Sequence, residues 1–406
     1  LVADIAARDG QVKVNGWRDG AGVALDDAVA QLSELGFKHL VYTDIARDGM
    51  QTGIDVAAYR HVAEVAGFPV VASGGISTLD DIRALAAVGE GAIEGAITGR
   101  ALYEGNFTLA QALAANGRKL YAVANRTHEK AVAFAERYGI EKVYDQIDDV
   151  FDDDEVDIIY ISTPHNTHIS YLRKALRAGK HVLCEKSITL NAEELTEAVQ
   201  LAQQNHVILA EAMTIYHMPI YRQLRARMDA GDFGELRLLQ MNFGSYKPYD
   251  MANRFFNRSL AGGALLDIGV YALSFVRWFM SSAPDQIVSQ VKYAPTGVDE
   301  QASLLLKNKE EEMATVILSL HAKQPKRGTV SFDKAYIELF DYPRGEEAVI
   351  TYTEDGRKEV LHAGATAQAL AYEVADMEAA VSGQENRMHL DYTVDVMRIM
   401  TAVRKD

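Results

Sequence analysis

Cysteine, basic residues and long apolar runs are scarce in this 406-residue chain. The single cysteine, Cys184, excludes an intrachain disulfide and a zinc site built on paired cysteines. The 41 basic and 57 acidic residues give a net charge of −16, which argues against a nucleic-acid or anionic-membrane partner. No apolar run approaches the roughly 18 residues that span a bilayer, and no signal-peptide pattern opens the sequence. We therefore expect a cytoplasmic protein without a membrane partner.

Strand and helix patterns alternate along the first half of the chain, and consecutive strand patterns follow. Apolar runs such as HLVYTDI and PVVASGG alternate with amphipathic stretches such as TLDDIRALAAVG, which predicts parallel strands with covering helices. After residue 235, runs such as LRLLQMNF, ATVILSL and AYIELFD follow one another, with one long helix pattern at GGALLDIGVYALSFVRWFM. This succession of strand patterns predicts an α+β domain with a mostly antiparallel sheet.

Glycine turns follow several strand patterns in the first 116 residues. TDIARDG (43–49) ends one apolar run, and ASGGIS (72–77) and AITGR (96–100) turn on glycine. Glycine lets the backbone approach a ligand closely, and the next helix N-terminus offers free N–H groups to an anion. Any βα unit also needs a turn, so an ordinary connection competes with a phosphate site as the interpretation.

Together with NGW and GRALYEGNFTLAQAL, these pieces resemble the C-terminal half of the ProFAR isomerase family of histidine biosynthesis. The resemblance covers residues 1 to about 115 and implies units five to eight of a phosphate-binding (βα)₈ barrel. It matches Asp48 to the general acid, Thr43 to a substrate-contacting residue and Asp4 to a strand-five aspartate. The surroundings of one phosphate are matched by Gly75, Gly99 and Arg100. The family's strand-one aspartate has no counterpart, and isomerisation needs an acid and a base together.

A lysine and a tyrosine stand at positions suited to alcohol oxidation. HVLCEKSITL (181–190) places Lys186 at a strand end, and GGALLDIGVYALS (262–274) places Asp267 and Tyr271 four residues apart on one helix face. Tyrosine has an ordinary pKa near 10, so a tyrosine base needs a nearby cation to lower its pKa. From the residues alone, a core tyrosine and a solvated lysine remain the favoured interpretation.

Residues 117–406 resemble the glucose–fructose oxidoreductase and inositol dehydrogenase (Gfo/Idh/MocA) family, in its dihydrodiol dehydrogenase-like branch. STPHNTHISYLRKALRAGKHVLCEK and GGALLDIGVY carry the resemblance. It implies an NAD(P)-dependent oxidoreductase acting on a sugar or diol hydroxyl, with Lys186 as the active-site lysine and Tyr271 as proton donor or acceptor. Asp267 becomes a supporting or substrate-binding residue. The family usually reads EKP where this chain has Ser187 after the lysine.

The cofactor site is where the chain departs from this family. A Rossmann unit opens with a strand, a G-x-G-x-x-G turn and a helix, and none of these precedes KLYAVANRT. The next strand ends at Asn125, Arg126 and Thr127, where an arginine in place of an acidic residue favours NADP over NAD. The other cofactor-binding residues implied by the resemblance are Thr163, Pro164, Asn166, His168 and Glu185. His168 is explained equally well as a helix-start residue with a backbone contact.

The run GAITG-RALYEG-NFTLAQAL stands where the Rossmann opening is missing. Its pattern also predicts a strand, a glycine turn suited to binding phosphate, and a helix. We therefore expect its strand to take the sheet position beside KLYAVAN. Recombination between related α/β parts and deliberate construction both account for such a join.

These patterns predict an α/β half (βα)₈ barrel fused to a truncated Rossmann domain and followed by an α+β domain with a mostly antiparallel sheet. The predicted boundaries are 1–116 for the half-barrel, 117–235 for the truncated Rossmann domain, 236–365 for the α+β substrate and oligomerisation domain, and 366–406 for helices that return to the Rossmann domain. The leading function is an NAD(P)-dependent oxidoreductase with an impaired cofactor site. The alternatives are a phosphate-binding chimera without turnover and, least favoured, an isomerase assembled from half-barrels.

We expect a small-molecule substrate or phosphate as the ligand and no metal. We also expect a homo-oligomer, because the exposed strands of a half-barrel need to be covered.

Overall fold

The computed structural model describes residues 2–404 except 15–16, 49, 51–52, 90, 99–100, 102–105 and 107–119. The chain forms two compact units, which divide between Val150 and Phe151. The division falls inside the stretch 117–235 that the sequence pattern assigns to a single Rossmann domain.

A six-stranded sheet forms the centre of the first unit. Its strands are β1 (Val2–Arg8), β2 (Gln11–Val14), β3 (Asp19–Ala24), β4 (His39–Asp44), β5 (Val70–Ser73) and β6 (Ile93–Ile97), in the order β3-β2-β1-β4-β5-β6. β1, β4, β5 and β6 run parallel, whereas β2 and β3 form an antiparallel hairpin at one edge. This is the predicted strand direction, and the half-barrel form of the unit stays a prediction.

Three helices follow strands of this sheet: α1 (Leu25–Glu34), α2 (Val56–Ala66) and α3 (Leu79–Val88). Local sequence explains where two of them begin. The Asp55 side chain accepts a hydrogen bond from Ala58 N at the start of α2, and Thr78 and Asp81 form a reciprocal capping box at the start of α3. Apolar faces of the helices pack on the sheet around the fully buried Tyr59.

The expected pairing of the strand in GAITG with the strand in KLYAVAN does not form among the described residues. β6 ends the six-stranded sheet and pairs with β5, in the register that aligns Ala72 with Ala96. β7 (Ala122–Val123) pairs instead with β8 (Lys142–Val143) in a separate two-stranded sheet, which α4 (His128–Tyr138) accompanies. Among the described residues the prediction is wrong, because β7 pairs in parallel with β8, the strand that follows it after α4.

The second unit begins with a three-stranded parallel sheet. β9 (Ile158–Ile161), β10 (His181–Glu185) and β11 (Leu209–Ala212) lie in the order β11-β10-β9, with α5 (His168–Arg177) and α6 (Ala192–Gln204) between them in sequence. β10 and β11 are almost entirely buried. Because the strands are parallel, their carboxyl ends, and the loops that follow them, meet at one edge of the sheet.

An eight-stranded sheet follows, after α7 (Pro219–Asp229). Its strands are β12 (Leu236–Gly244), β13 (Gln286–Tyr293), β14 (Asp299–Lys307), β15 (Met313–Ser319), β16 (Arg327–Phe332), β17 (Ala335–Phe340), β18 (Glu347–Tyr352) and β19 (Lys358–His362). They lie in the order β13-β14-β15-β12-β16-β17-β18-β19, and only the β12–β15 neighbours in this order are parallel. The sheet is therefore mostly antiparallel, as predicted.

The predicted long helix is present, but its first turn is π-helical instead of α-helical. Leu265–Gly269 forms a π-helical turn, and α8 (Val270–Phe279) continues from it. Asp299 fixes this opening, since its Oδ2 accepts a hydrogen bond of 2.6 Å from Leu265 N. The chain ends with α9 (Ala369–Val381) and α10 (Leu390–Val403). α10 contacts α6, where Thr401 Oγ1 accepts a 2.9 Å hydrogen bond from Ala192 N.

One segment of the described chain, Arg258–Phe279, is long and apolar enough to cross a membrane by length and composition. Most of it is buried within the protein, as in the core helix of a folded domain. Within the described ranges, no group of three histidine, cysteine or acidic side chains is arranged to hold a metal ion.

Candidate active site

The turn that carries Lys186 is held from three sides. His168 Nδ1 lies 2.9 Å from the Ser187 carbonyl oxygen, and the Ser187 hydroxyl donates a 3.0 Å hydrogen bond to the Leu266 carbonyl. Ile188 N donates to Glu211 Oε1 at 3.0 Å. The Lys186–Ser187 peptide bond is cis, and Ser187 is fully buried. These contacts fix the backbone on which the lysine stands.

Lys186, Asp267 and Tyr271, predicted from distant motifs, lie together. Lys186 Nζ donates a 2.7 Å hydrogen bond to the Asp267 carbonyl oxygen and lies 3.5 Å from Asp267 Oδ1. The same ammonium lies 4.7 Å from the centre of the Tyr271 ring. The π-helical turn presents Asp267, and the first turn of α8 presents Tyr271. Only 14% of the Lys186 side chain and 12% of the Asp267 side chain are exposed, so the interaction is shielded from bulk water.

The pKa of Tyr271 is raised, not lowered as a tyrosine base would require. Burial is the main cause, and the carboxylates of Glu185, Asp267 and Glu211 add to it, whereas the Arg344 guanidinium opposes it. Burial also lowers the pKa of Lys186, and the Asp267 carboxylate counteracts that effect. Tyr271 is therefore a neutral phenol that carries its proton, because desolvation outweighs the neighbouring cation.

Four residues near this site are missing from the site residues that the sequence predicts. Burial, followed by repulsion from Lys186, lowers the pKa of His165 to about 4, so its imidazole is neutral. Glu211 is fully buried and its pKa is raised to about 7 by desolvation. Burial and the Glu185 carboxylate raise the pKa of Glu373 to about 8, which Arg344 partly offsets. His165 lies within the quoted STPHNTH motif, but Glu211, Arg344 and Glu373 come from separate parts of the chain.

Four of the residues that the sequence predicts for cofactor binding lie in the second unit, in the loop after β9 and at the start of α5. His168 is fully buried, and its Nε2 lies 2.7 Å from the Thr163 carbonyl oxygen, so it makes the backbone contacts that the alternative interpretation expected. Thr167 Oγ1 donates to Thr163 Oγ1 at 2.8 Å, and Asn166 Nδ2 donates to the Ser259 carbonyl at 3.1 Å. Pro164 is exposed. Buried His168 thus supports the loop, whereas the residues around Pro164 are accessible to a ligand.

Glu185 ends β10 immediately before the lysine. Its Oε1 accepts a 2.7 Å hydrogen bond from the Tyr160 hydroxyl, and the bond raises the pKa of Tyr160 together with burial, which is the larger cause. The Glu185 carboxylate is thereby held at the carboxyl end of the sheet beside Lys186.

The remaining residues that the sequence predicts for cofactor binding belong to the first unit. Asn125, Arg126 and Thr127 are exposed in the turn between β7 and α4, and Asn125 Oδ1 accepts a 2.9 Å hydrogen bond from Thr127 N. This bond gives the turn a defined shape, with Arg126 exposed in it.

The isomerase-like residues also lie in the first unit. Thr43 is buried on β4, Asp48 is half-buried in the turn after β4, and Asp4 is exposed on the neighbouring strand β1. Gly75 follows β5 with a φ of +88°, a conformation that favours glycine. Gly99 and Arg100 lie outside the described residues. The structure thus places Asp4, Thr43 and Asp48 on two adjacent strands and the turn that follows one of them.

Sequence comparisons assign families to both parts of the chain. Residues 85–213 match the oxidoreductase family with an NAD-binding Rossmann fold, and residues 221–338 match the Gfo/Idh/MocA C-terminal domain. The human trans-1,2-dihydrobenzene-1,2-diol dehydrogenase is 32% identical over 242 residues, which are 59% of this chain and 72% of the relative. The chain belongs to the Gfo/Idh/MocA oxidoreductase family.

Other members support this assignment. An uncharacterized oxidoreductase of Rhizobium meliloti is 26% identical over 72% of the chain and 90% of its own length. The solved structure of the 3-ketoreductase KijD10 from Actinomadura kijaniata, with TDP-benzene and NADP in an open conformation, has a TM-score of 0.59 and 25% identity over 70% of this chain and 88% of that one. The aldose-aldose oxidoreductase of Caulobacter crescentus, with a TM-score of 0.63 and 22% identity over 70% of this chain and 88% of that one, shares the fold.

This Gfo/Idh/MocA protein begins with sequence of a second family. Residues 1–108 match histidine biosynthesis proteins. The two matches overlap over residues 85–108, so this stretch matches both families. The resemblance of the chain to two families is thereby confirmed.

Proposed function

We propose that the chain is an NADP-dependent oxidoreductase that interconverts a hydroxyl and a carbonyl group of a sugar or diol. The observation that carries the proposal is the contact of Lys186 with both Asp267 and Tyr271 at the carboxyl end of the β9–β11 sheet. Relatives named as a diol dehydrogenase and a 3-ketoreductase support the two directions of this chemistry.

The carboxyl end of the β9–β11 sheet offers suitable partners for the nicotinamide half of a dinucleotide. The Thr163 and Thr167 hydroxyls and the exposed Asn166 amide can hydrogen-bond a ribose, and Pro164 presents an apolar surface. In the first unit, the exposed Arg126 suits a 2′-phosphate. A nicotinamide held at the sheet end would supply or accept a hydride.

The chain's own side chains would handle the proton. Tyr271 holds its hydroxyl proton because burial raises its pKa, so it can donate that proton to a carbonyl oxygen that is being reduced. The Lys186 ammonium, oriented by Asp267, would stabilise the phenolate that remains. The protonated Tyr271 is the form that carbonyl reduction uses, whereas hydroxyl oxidation would require the phenol to lose its proton first.

The proposed enzyme is expected to bind its cofactor less tightly than a complete Rossmann domain would, because its sequence has no G-x-G-x-x-G motif. The overlap of the two family matches over residues 85–108 supports substitution of one βα unit for another. Calorimetric titration with NADPH and then NADH tests the proposal. Micromolar NADPH binding with weaker NADH binding is expected, and absence of binding for both would overturn it.

A phosphate-binding chimera without turnover is the second candidate. The strand pairing favours this candidate. β6 pairs with β5 and β7 pairs with β8, so among the described residues β6 does not take the place of the missing first Rossmann strand beside β7. This candidate predicts that inorganic phosphate binds, that NADPH does not, and that no diol or sugar is turned over. Turnover of any such compound with NADP or NADPH would exclude it.

A further inference from the structure

Two cations flank one aromatic ring beside the candidate active site. Lys247 Nζ lies 4.3 Å from the centre of the Phe255 ring, and Arg254 Cζ lies 4.0 Å from it. Both belong to the segment between β12 and the π-helical turn. A ring face attracts a cation without neutralising its charge, so both side chains keep a full positive charge for a ligand. We call Lys247 and Arg254 the Phe255 cation pair.

The Phe255 cation pair adjoins the proposed catalytic residues. Arg254 Nη2 lies 3.5 Å from Asp267 Oδ1, the same oxygen that lies 3.5 Å from Lys186 Nζ. Arg254 and Lys186 therefore share one carboxylate. Within the part of the chain that the structure describes, no carboxylate forms an ion pair with Lys247. The three cations Lys186, Arg254 and Lys247 thus outnumber the one carboxylate of Asp267 in this cluster, although the chain as a whole has a net charge of −16.

The segment that carries Lys247 is anchored. Lys247 N donates a 2.8 Å hydrogen bond to the Leu320 carbonyl. Two residues on, the Tyr249 hydroxyl donates to Glu300 Oε2 at 2.6 Å, and the Tyr249 ring stacks on His321 with 4.3 Å between ring centres. Glu300 is fully buried, so this end of the segment is tied to the sheet. A fixed backbone lowers the entropy that a lysine loses when it binds a ligand.

We propose that Lys247 and Arg254 bind an anionic group of the substrate, next to the carbon that reacts at Tyr271. The inference rests on the proposed oxidoreductase function and narrows its substrate class to sugar acids or sugar phosphates. A carboxylate and a phosphoryl group share the required chemistry, since guanidinium and ammonium groups form charge-assisted hydrogen bonds with both. Neutral diols would leave both cations without a counter-charge.

Calorimetry on the full chain tests the site without requiring turnover. The probes are gluconate, glucose 6-phosphate and glucose, each titrated with and without NADPH. At least one anionic probe is expected to bind about tenfold or more tightly than glucose, as one charge-assisted contact provides. Preference for gluconate identifies a carboxylate as the ligand group, and preference for glucose 6-phosphate identifies a phosphoryl group.

The variant Lys247→Gln is expected to lose this anion preference by about tenfold and to leave glucose binding unchanged. Arg254→Gln is a second variant with the same expectation. Lys309→Gln, an equal charge change at a largely exposed lysine of the β14–β15 turn, is the matched control. Equal affinity for anionic and neutral probes in the unsubstituted protein would overturn the proposal.

Two further outcomes separate this inference from the proposed function. If Lys247→Gln weakens NADPH binding and leaves the anion preference intact, the cations serve the cofactor and the inference is wrong. If NADPH fails to bind while an anionic probe binds in a Lys247-dependent manner, the anion site stands and the oxidoreductase proposal fails.

Discussion

At the residue scale, the proposed function assigns separate tasks to Tyr271 and Lys186. The tyrosine would donate the proton that its raised pKa retains, and the nearby lysine would stabilise the phenolate that remains. Their proximity depends on the π-helical turn, which brings the Asp267 carbonyl within 2.7 Å of the lysine. Substitutions at Tyr271 and at Lys186 are therefore expected to impair turnover for different reasons.

Tyr271→Phe removes the hydroxyl and keeps the ring beside Phe243, whose ring centre lies 6.3 Å away. We expect kcat to fall by about 10²-fold to 10⁴-fold, because proton transfer is lost. NADPH affinity should stay unchanged, because the ring is retained. Steady-state kinetics followed by the absorbance of the reduced nicotinamide, together with calorimetry, measure the two effects. Turnover close to that of the unsubstituted protein would show that another group delivers the proton.

Glu211 links the lysine turn to the C-terminal helix. Its two carboxyl oxygens accept hydrogen bonds from Ile188 N at 3.0 Å and from the Thr393 hydroxyl at 3.1 Å. Its pKa rises from an ordinary 4.5 to about 7 because it is fully buried. The folded protein thus binds the proton more tightly than the unfolded chain. The resulting stability is fully present below the unfolded pKa and is lost as the pH rises through the folded pKa.

Glu211→Gln should remove this pH dependence, since an amide does not titrate. Relative to the variant, the unsubstituted protein should lose on the order of 3 kcal/mol of unfolding free energy between about pH 4 and pH 8. Urea unfolding of the second unit across this range measures the difference. Glu193→Gln on the exposed face of α6 is the control. The same pH dependence in the protein and the Glu211 variant would refute a titrating Glu211.

At the element scale, the turn between β7 and α4 carries Arg126, to which the proposed function assigns the 2′-phosphate of NADPH. Arg126→Ala should weaken NADPH binding by about tenfold to a hundredfold, because a charge-assisted hydrogen bond to the 2′-phosphate is lost. NADH binding should not change, since NADH lacks that phosphate. Calorimetric titration measures both affinities. Arg137→Ala, at an exposed arginine on α4, is the control, and equal losses for both cofactors would contradict the assignment.

At the scale of the whole molecule, the eight-stranded sheet has one face that no described element of the second unit covers. Val288 on β13 aligns with Leu305 on β14, and both are largely exposed, at 64% and 49%. At the far side of the sheet, Val349 aligns with the exposed Val360. Apolar residues thus occur on this face at both ends of the sheet. Such a surface favours association between copies of the chain.

Leu305→Lys is expected to reduce the mass of the particle in solution, because a charge in an apolar interface is costly to desolvate. Multi-angle light scattering measures that mass. Leu35→Lys, at a leucine that is 69% exposed in the first unit, is the matched control and should leave the mass unchanged. A monomeric unsubstituted protein would contradict the expectation of a homo-oligomer.

The sequence by itself determined the features that depend on local pattern. Alternating apolar periods predicted parallel strands before residue 235 and a mostly antiparallel sheet after it, because each period buries one face of its element. The motifs around Lys186 and GGALLDIGVY identified the Gfo/Idh/MocA family, and residues 43–100 identified the second family. These features belong to short stretches, so they can be recognised without the fold.

The tertiary structure alone decided the features that depend on burial and distant contacts. Tyr271 has a raised pKa because the packed protein excludes water from it, and Arg344, from a distant part of the chain, partly opposes that rise. Among the described residues β7 pairs with β8 and not with β6, since the partner of a strand depends on tertiary packing that a short motif does not encode. Arg254, one of the two cations beside Phe255, likewise meets Asp267 only after folding. Desolvation and long-range contact leave no periodic signal in the sequence, and for that physical reason these features needed the fold.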